Sequence, residues 1–321
     1  MKRVLGMMVL VVLFFTATTT IFARGGRDDS GQYEIALSLT TITNDDFQNA
    51  LHQSIERAVR TAGHRYTLVT AEQTAVAIQA NQLEDLVARR VSAIILSPMD
   101  ARAVIPALRR AHEAGIPVIL VDQTIEAGNE DLFITYIGTD NHRAGVMGGQ
   151  ALAREMNNTG NVLIVRGASG SSVGDERVDG FKEGLAGSNI RVVGEQPGNW
   201  TNRVAMQVME NMLQANPQVD GVFTASDVML DGILTALQNA NRSNVKIMSV
   251  DGSRAAVEMI ESGEVFGTMA QFPGRMGPRA VEILLGVLNG TLDPNSVPKY
   301  IDSGTALYTS ENLSEARAEM F

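Results

Sequence analysis

The feature that most limits how this chain can fold is an alternation. From Tyr33 onward, short β-branched apolar runs alternate with longer amphipathic stretches. The runs 35–40, 66–70, 93–96, 118–121 and 134–137 form one series, and 161–165, 190–194, 221–224, 246–250 and 267–271 form a second. Gly, Pro or Asp bounds them, which is how strands are punctuated. Between the runs, Phe47, Leu51, Ile55, Ala58 and Val59 share one helical face. So do Val208, Met212 and Leu213, and likewise Ile233, Leu234 and Leu237. Strands alternating with amphipathic helices build parallel sheets covered by helices on both faces. The pattern runs twice, with a break near Ile137-Gly138-Thr139-Asp140. The expected class is α/β, with two doubly wound parallel-sheet lobes. The repetition is one of architecture, not of sequence.

A length of 321 residues exceeds one ordinary core and suits two domains. With no Cys in the chain, a disulfide framework, a thiol nucleophile and a Cys-ligated zinc are excluded. A net charge of −10 argues against nucleic acid or an anionic membrane as the main partner. Lys2 and Arg3 precede a nearly unbroken apolar run over 4–15, softened by threonines before Ile21-Phe22-Ala23. Residues 1–23 are therefore expected to be a secretory signal cleaved after Ala23, with export to a periplasm or beyond. An uncleaved anchor over 4–22 is the alternative, which the threonines disfavour. A lipid anchor on an N-terminal Cys is impossible. Residues 24–32, rich in Gly and Asp, read as a flexible lead.

Two carboxylates occupy matching places in the two halves. Asp122 ends the run Pro117-Val118-Ile119-Leu120-Val121, and Asp251 ends Val245-Lys246-Ile247-Met248-Ser249-Val250. Ligands of open α/β sheets bind beyond the carboxyl ends of the strands. Two strand-end aspartates suggest two sheets facing one cleft. An ionised Asp only accepts hydrogen bonds, so a ligand rich in hydroxyl donors would suit them.

Other motifs are weaker. Gly170-Ser171-Ser172-Val173-Gly174 matches the nucleophile elbow of hydrolases, but His52, His64, His112 and His142 all precede the serine, against the required order. Gly167-Ala168-Ser169-Gly170 lacks the lysine of a phosphate loop, and Asp175 and Glu176 would repel a phosphate there. The histidines never pair at metal spacing. No catalytic residue, metal site or cofactor is expected.

Several segments together resemble the periplasmic sugar-binding proteins of the ribose-type class. They are Ile35-Ala36-Leu37 leading to Asn44-Asp45-Asp46-Phe47, Ile94-Ile95-Leu96-Ser97-Pro98-Met99-Asp100, Ala114-Gly115-Ile116-Pro117-Val118-Ile119, Ile137-Gly138-Thr139-Asp140-Asn141, Asp175-Glu176-Arg177 with Gly180-Phe181, Asp251-Gly252 and Ala270-Gln271. The resemblance runs from Tyr33 to the C-terminus. It implies a type I periplasmic binding protein (Venus-flytrap) fold, its lobes joined by a three-segment hinge near 137–140, 271–273 and 298–301. The lobes would comprise 33–138 plus 272–299 and 139–271 plus 300–321. The implied ligand set is Thr40, Asn44, Asp46, Phe47, Asp122, Gln123, Arg177, Trp200, Ser226, Asp251 and Gln271. Asn44, Asp122, Asp251 and Gln271 would bond sugar hydroxyls, Arg177 would donate, and Phe47 and Trp200 would cover the ring faces. Gln123 stands where ribose receptors carry Arg, Ser226 where they carry Asn, and Asp46 in place of a second aromatic. These departures suit a hexose, sugar alcohol or cyclitol better than ribose.

The implied function is an exported receptor that traps a neutral monosaccharide or polyol by hinge closure. It would deliver its ligand, as a monomer, to the membrane permease of an ABC transporter. A sugar sensor feeding a chemoreceptor or sensor kinase is the alternative. Sugar-responsive repressors share the resemblance but need a DNA reader where this chain carries an export signal. An exported glycan-active enzyme, with Asp122 and Asp251 as its carboxylate pair, is a further class to test.

Overall fold

The computed structural model describes residues 31–321 apart from 44, 73, 74 and 243. The export signal expected over residues 1–23, and the lead as far as residue 30, lie outside the described residues. The first series of runs becomes β1 (Glu34–Thr40), β2 (Arg65–Ala71), β3 (Ala93–Leu96), β4 (Val118–Val121) and β5 (Tyr136–Gly138). The second becomes β6 (Thr159–Arg166), β7 (Asn189–Pro197), β8 (Gly221–Thr224), β9 (Lys246–Asp251) and β10 (Gly267–Ala270). Two short strands near the C-terminus follow, β11 (Tyr300–Asp302) and β12 (Ala306–Thr309).

They form two six-stranded sheets ordered β11-β5-β4-β3-β1-β2 and β12-β10-β9-β8-β6-β7. The two orders are the same, so the repeated architecture read from the sequence is real. Every pairing is parallel except that of β12, which runs antiparallel to β10. The second sheet is thus not wholly parallel, as expected, but carries an antiparallel edge. That edge follows from where the chain enters: β11 ends at the carboxyl edge of the first sheet, and β12 starts after a connection of three residues opposite Ala270, at the carboxyl end of β10, so it can only run back along that strand.

Helices cover both faces of each sheet. In the first lobe α1 (Asp46–Thr61), α2 (Val76–Ala88) and α3 (Ile105–Glu113) connect the strands. In the second, α4 (Asn141–Glu155), α5 (Ser172–Gly184), α6 (Asn202–Ala215), α7 (Leu230–Asn239) and α8 (Arg254–Glu261) do so. Then α9 (Pro273–Leu288) returns to pack on α1, and α10 (Leu313–Glu319) closes the second lobe against α8. Successive strand residues enter opposite cores. Ile35, Leu37 and Leu39 point into one cluster and Ala36 into another; Leu163 and Val165 oppose Val162 and Ile164.

The chain crosses between lobes after β5, after β10 and between β11 and β12. The third crossing differs from the expected 298–301. Tyr300–Asp302 pairs with β5 and stays in the first lobe, so the passage lies at 303–305. The reason is local: Tyr300 stacks on Tyr136 with centroids 5.6 Å apart, holding the strand on the first sheet's edge.

The α4–α5 pair sets one side of the cleft. A Cβ on Gly145 would lie 2.3 Å from the carbonyl oxygen of Arg177, so only glycine lets the two backbones meet there. One turn along α5 from Arg177, Phe181 stacks on Phe223 of β8 at 4.2 Å. Those two contacts hold Arg177 at the carboxyl end of the second sheet.

Candidate functional site

The carboxyl ends of both sheets face each other across one small cavity. Thr40, Phe47, Asp122, Gln123, Arg177, Trp200, Ser226, Asp251 and Gln271 all line it. Asn44 lies outside the described residues. Asp46 stands apart from this set. It is exposed in the first turn of α1 and lines only a larger outer cavity, of about 1,460 Å³ including open solvent. Residues of a helix turn about 100° per position, so the burial of Phe47 points its predecessor outward.

Sequence reasoning missed Asp45, Gln48, Val173 and Val228, which also line the inner cavity. Asp45 is the N-cap of α1 and accepts from the backbone N–H of Gln48 at 3.0 Å. The spacing Asp45-x-x-Gln48 is that of a capping box, and this was the available signal. Yet the Gln48 side chain does not return to the cap: its Nε2 donates to Asp122 Oδ2 at 2.9 Å.

The two strand-end aspartates are engaged differently. Asp122 Oδ2 accepts from Gln48 and from Ser97 Oγ at 3.0 Å. Its Oδ1 has no donor among the described residues. Asp251 uses both oxygens: Oδ1 accepts from Gln271 Nε2 at 2.7 Å and Arg177 Nη1 at 3.3 Å, Oδ2 from Ser226 Oγ at 2.5 Å and the Asp227 N–H at 3.0 Å. A carboxylate offers about four acceptor positions, so those of Asp251 are filled by the protein. Arg177 also donates through Nε to Asn141 Oδ1 at 2.8 Å and through Nη1 to the Ala225 carbonyl at 2.7 Å. Its Nη2 is uncommitted among the described residues.

Both aspartates sit on unusual backbone, with φ +63° at Asp122 and +139° at Asp251; Trp200 has φ +57°. Strain of this kind gathers at functional sites, where the fold compels it. Trp200 lies over Gly167, where a Cβ would be 2.0 Å from the indole Cζ2. Phe47 and Trp200 therefore supply an apolar surface from each lobe, within a wall of acceptors. Gln123 bridges the lobes, accepting from Ser171 Oγ at 3.0 Å. Arg275 and Glu319 pair across the lobes at 3.1 Å, and Phe47 meets Phe321 edge-on at 5.6 Å. The lobes are closed on each other.

Arg177 faces three carboxylates in this wall, and the imbalance shows in their protonation. Burial pushes Asp122 up to about 6, against the pull of the Arg177 charge and of its donors Gln48 and Ser97. Burial pushes Asp45 up to about 7, with the charges of Asp251 and Asp122 adding to it. Asp251 and its neighbour Asp227 are both pushed up, again chiefly by burial. Two buried acceptors in the cavity wall, Gln48 Oε1 and Gln271 Oε1, have no partner among the described residues.

The family model of the periplasmic binding protein domain matches residues 35–292. The ribose import binding protein of Salmonella typhimurium is 28% identical over 290 residues, covering 90% of this chain and 94% of its own length. A periplasmic solute-binding protein of an ABC transporter from Actinobacillus succinogenes, solved with bound D-allose, superposes with a TM-score of 0.81 at 28% identity, covering 88% of this chain and 100% of that one. A solute-binding protein of an ABC transporter from Agrobacterium vitis, solved with bound D-fucose, has a TM-score of 0.82 at 26% identity, covering 90% and 100% respectively.

Proposed function

The chain belongs to the periplasmic binding protein domain family, and from that premise we propose that it is an exported receptor for a neutral monosaccharide or polyol, serving an ABC-type importer. The observation that carries the proposal is the acceptor-rich, aromatic-walled cavity buried between the two sheet ends. A polyol brings several hydroxyl donors and apolar C–H faces. Asp122 Oδ1, Gln48 Oε1 and Gln271 Oε1 would take the donors, Arg177 would give one back, and Phe47 and Trp200 would cover the ring. An anionic ligand would meet three carboxylates for one guanidinium, and so is disfavoured.

In this reading the lobes, 33–138 with 272–302 and 139–271 with 303–321, close by a hinge at the three crossings. Contacts from both lobes favour the closed form, so ligand shifts that population. The closed form is what a permease would recognise; a chemoreceptor would read the same surface. Residues 1–23 would direct export to the periplasm, and the receptor acts as a monomer. No catalytic step is needed. Asp251, with four protein donors on its carboxylate, is poorly placed to serve as acid, base or nucleophile.

The test is the melting temperature of the purified protein against pentoses, hexoses, sugar alcohols, inositols and, as controls, acidic sugars. Ligand at about 100 Kd stabilises the folded state by about 2.7 kcal/mol, a rise of several degrees. A strong shift with one neutral polyol is expected. Shifts only with acidic sugars, or with none of the panel, would overturn the proposal.

A further inference from the structure

Three buried side-chain acceptors among the described residues have no hydrogen-bond partner, and two belong to the cavity wall. The third, Gln82 Oε1, lies away from it, on α2, where its Nε2 holds the Thr70 carbonyl at 2.8 Å. The two in the wall are matched across the cleft. Gln48 Nε2 is held by Asp122 in one lobe, and Gln271 Nε2 by Asp251 in the other. An ionised carboxylate accepts only, so each amide must turn its nitrogen to the aspartate and its oxygen away. The orphaned oxygens are therefore a consequence of the two strand-end carboxylates. Gln48 is 6% exposed and Gln271 2%. A buried acceptor left unpaired is costly, and these two, unlike Gln82 Oε1, belong to residues lining a cavity from which a partner can arrive.

We infer that Gln48 is a specificity-determining residue of this cavity: its Oε1 accepts a hydrogen bond from one ligand hydroxyl, and a sugar or polyol lacking that hydroxyl is rejected. The inference rests on the function proposed above. Gln48 is built for the task. Its backbone is fixed by the Asp45 cap, its neighbour Phe47 is buried against the first core, and its amide orientation is set by Asp122. A site made to bond a hydroxyl discriminates strongly against the analogue without it, because the protein acceptor is then left buried and unpaired.

The experiment is titration calorimetry with pairs of parent and mono-deoxy sugar: D-ribose with 2-deoxy-D-ribose, D-galactose with D-fucose, and the mono-deoxy series of whichever parent binds most tightly. Wild type, Gln48→Met and Gln48→Glu are compared. Wild type should bind one mono-deoxy analogue on the order of 100-fold more weakly than its parent. Gln48→Met should compress that ratio to below about tenfold, because the acceptor is gone from both complexes. Gln48→Glu, compared with wild type at pH 5 where its carboxyl can carry the proton it shares with Asp122, keeps an acceptor oxygen toward the ligand and should preserve the ratio even where absolute affinity falls, which guards against a methionine variant that folds poorly. An unchanged ratio in Gln48→Met, or a wild type that tolerates every mono-deoxy analogue of a sugar it binds, would overturn the inference and leave the proposed function standing. Failure of every neutral polyol to bind wild type would overturn both.

Discussion

Replacing Asp122 by Asn should weaken ligand binding and at the same time stabilise the empty protein. The side chain is 4% exposed, and its Oδ2 serves Gln48 and Ser97. An asparagine keeps those two bonds only with its carbonyl in the Oδ2 position, which puts an NH₂ donor where Oδ1 faces the cavity. A hydrogen bond to a charged group contributes about 1.5–3 kcal/mol and a neutral one about 0.5–1.5. Loss of the charged acceptor should therefore cost about 1–2 kcal/mol of binding, or roughly 5- to 30-fold in Kd. Asp122→Ala, which also strips Gln48 and Ser97 of their acceptor, should cost at least about 2 kcal/mol. Stability moves the other way. The carboxyl is raised from 3.8 to about 6 in the folded protein, so above pH 6 an ionised Asp122 costs at most about 3 kcal/mol that Asn does not incur. Below pH 4 both chains are neutral there and the difference disappears. Asn also tolerates the φ of +63° as well as Asp does, whereas Ala does not. Calorimetric titration with the sugar giving the largest melting shift, and urea unfolding at pH 4 and 7.5, measure the two effects. Affinity within threefold of wild type in both variants would refute the recognition role. A stability difference that does not change with pH would refute the burial argument.

Three other outcomes are expected. Arg177→Met should lower unfolding free energy by about 3–5 kcal/mol, since it leaves Asp251 as a buried unpaired charge; the two side chains are only 3% and 7% exposed. A loss below about 1 kcal/mol by chemical denaturation would refute it. Trp200 is the one tryptophan of the chain, so its emission should change when the cleft fills. Gly167→Ala, whose Cβ would overlap the indole, should shift that emission in the empty protein and weaken binding by about tenfold, the loss of one aromatic contact; an unshifted spectrum would show that the indole does not rest there. Hydroxyl donors favour ionised Asp122 and Asp45, which lie near 6 and 7. Binding should thus expel protons and tighten as pH rises from 5 to 7.5, and an affinity that is flat or falls over that range in calorimetry would contradict this.

Much of the fold could be read from residue order because parallel strands buried on both faces announce themselves. Val118–Val121 and Gly221–Thr224 are short apolar runs with turn residues at their ends. Tyr300–Asp302 and Ala306–Thr309 escaped notice because edge strands of three and four residues carry no period long enough to see. They decide where the third crossing lies. The choice between Asp45 and Asp46 was equally out of reach. Both are good first-turn residues, and only the direction of the packed Phe47 side chain shows which carboxylate turns into the cavity.

By itself the sequence determined that two sheets would end in two aspartates facing one site, since strand period and the position of a strand's end are local properties. It presented Asp122 and Asp251 as equivalents. Tertiary structure separated them. Asp251 is encircled by Arg177, Ser226, Gln271 and the Asp227 amide, and organises the wall. Asp122 keeps one oxygen for the cavity, and orients Gln48 from 74 residues away. Which acceptors stay unfilled depends on which donors arrive from distant segments, and no local pattern records that count.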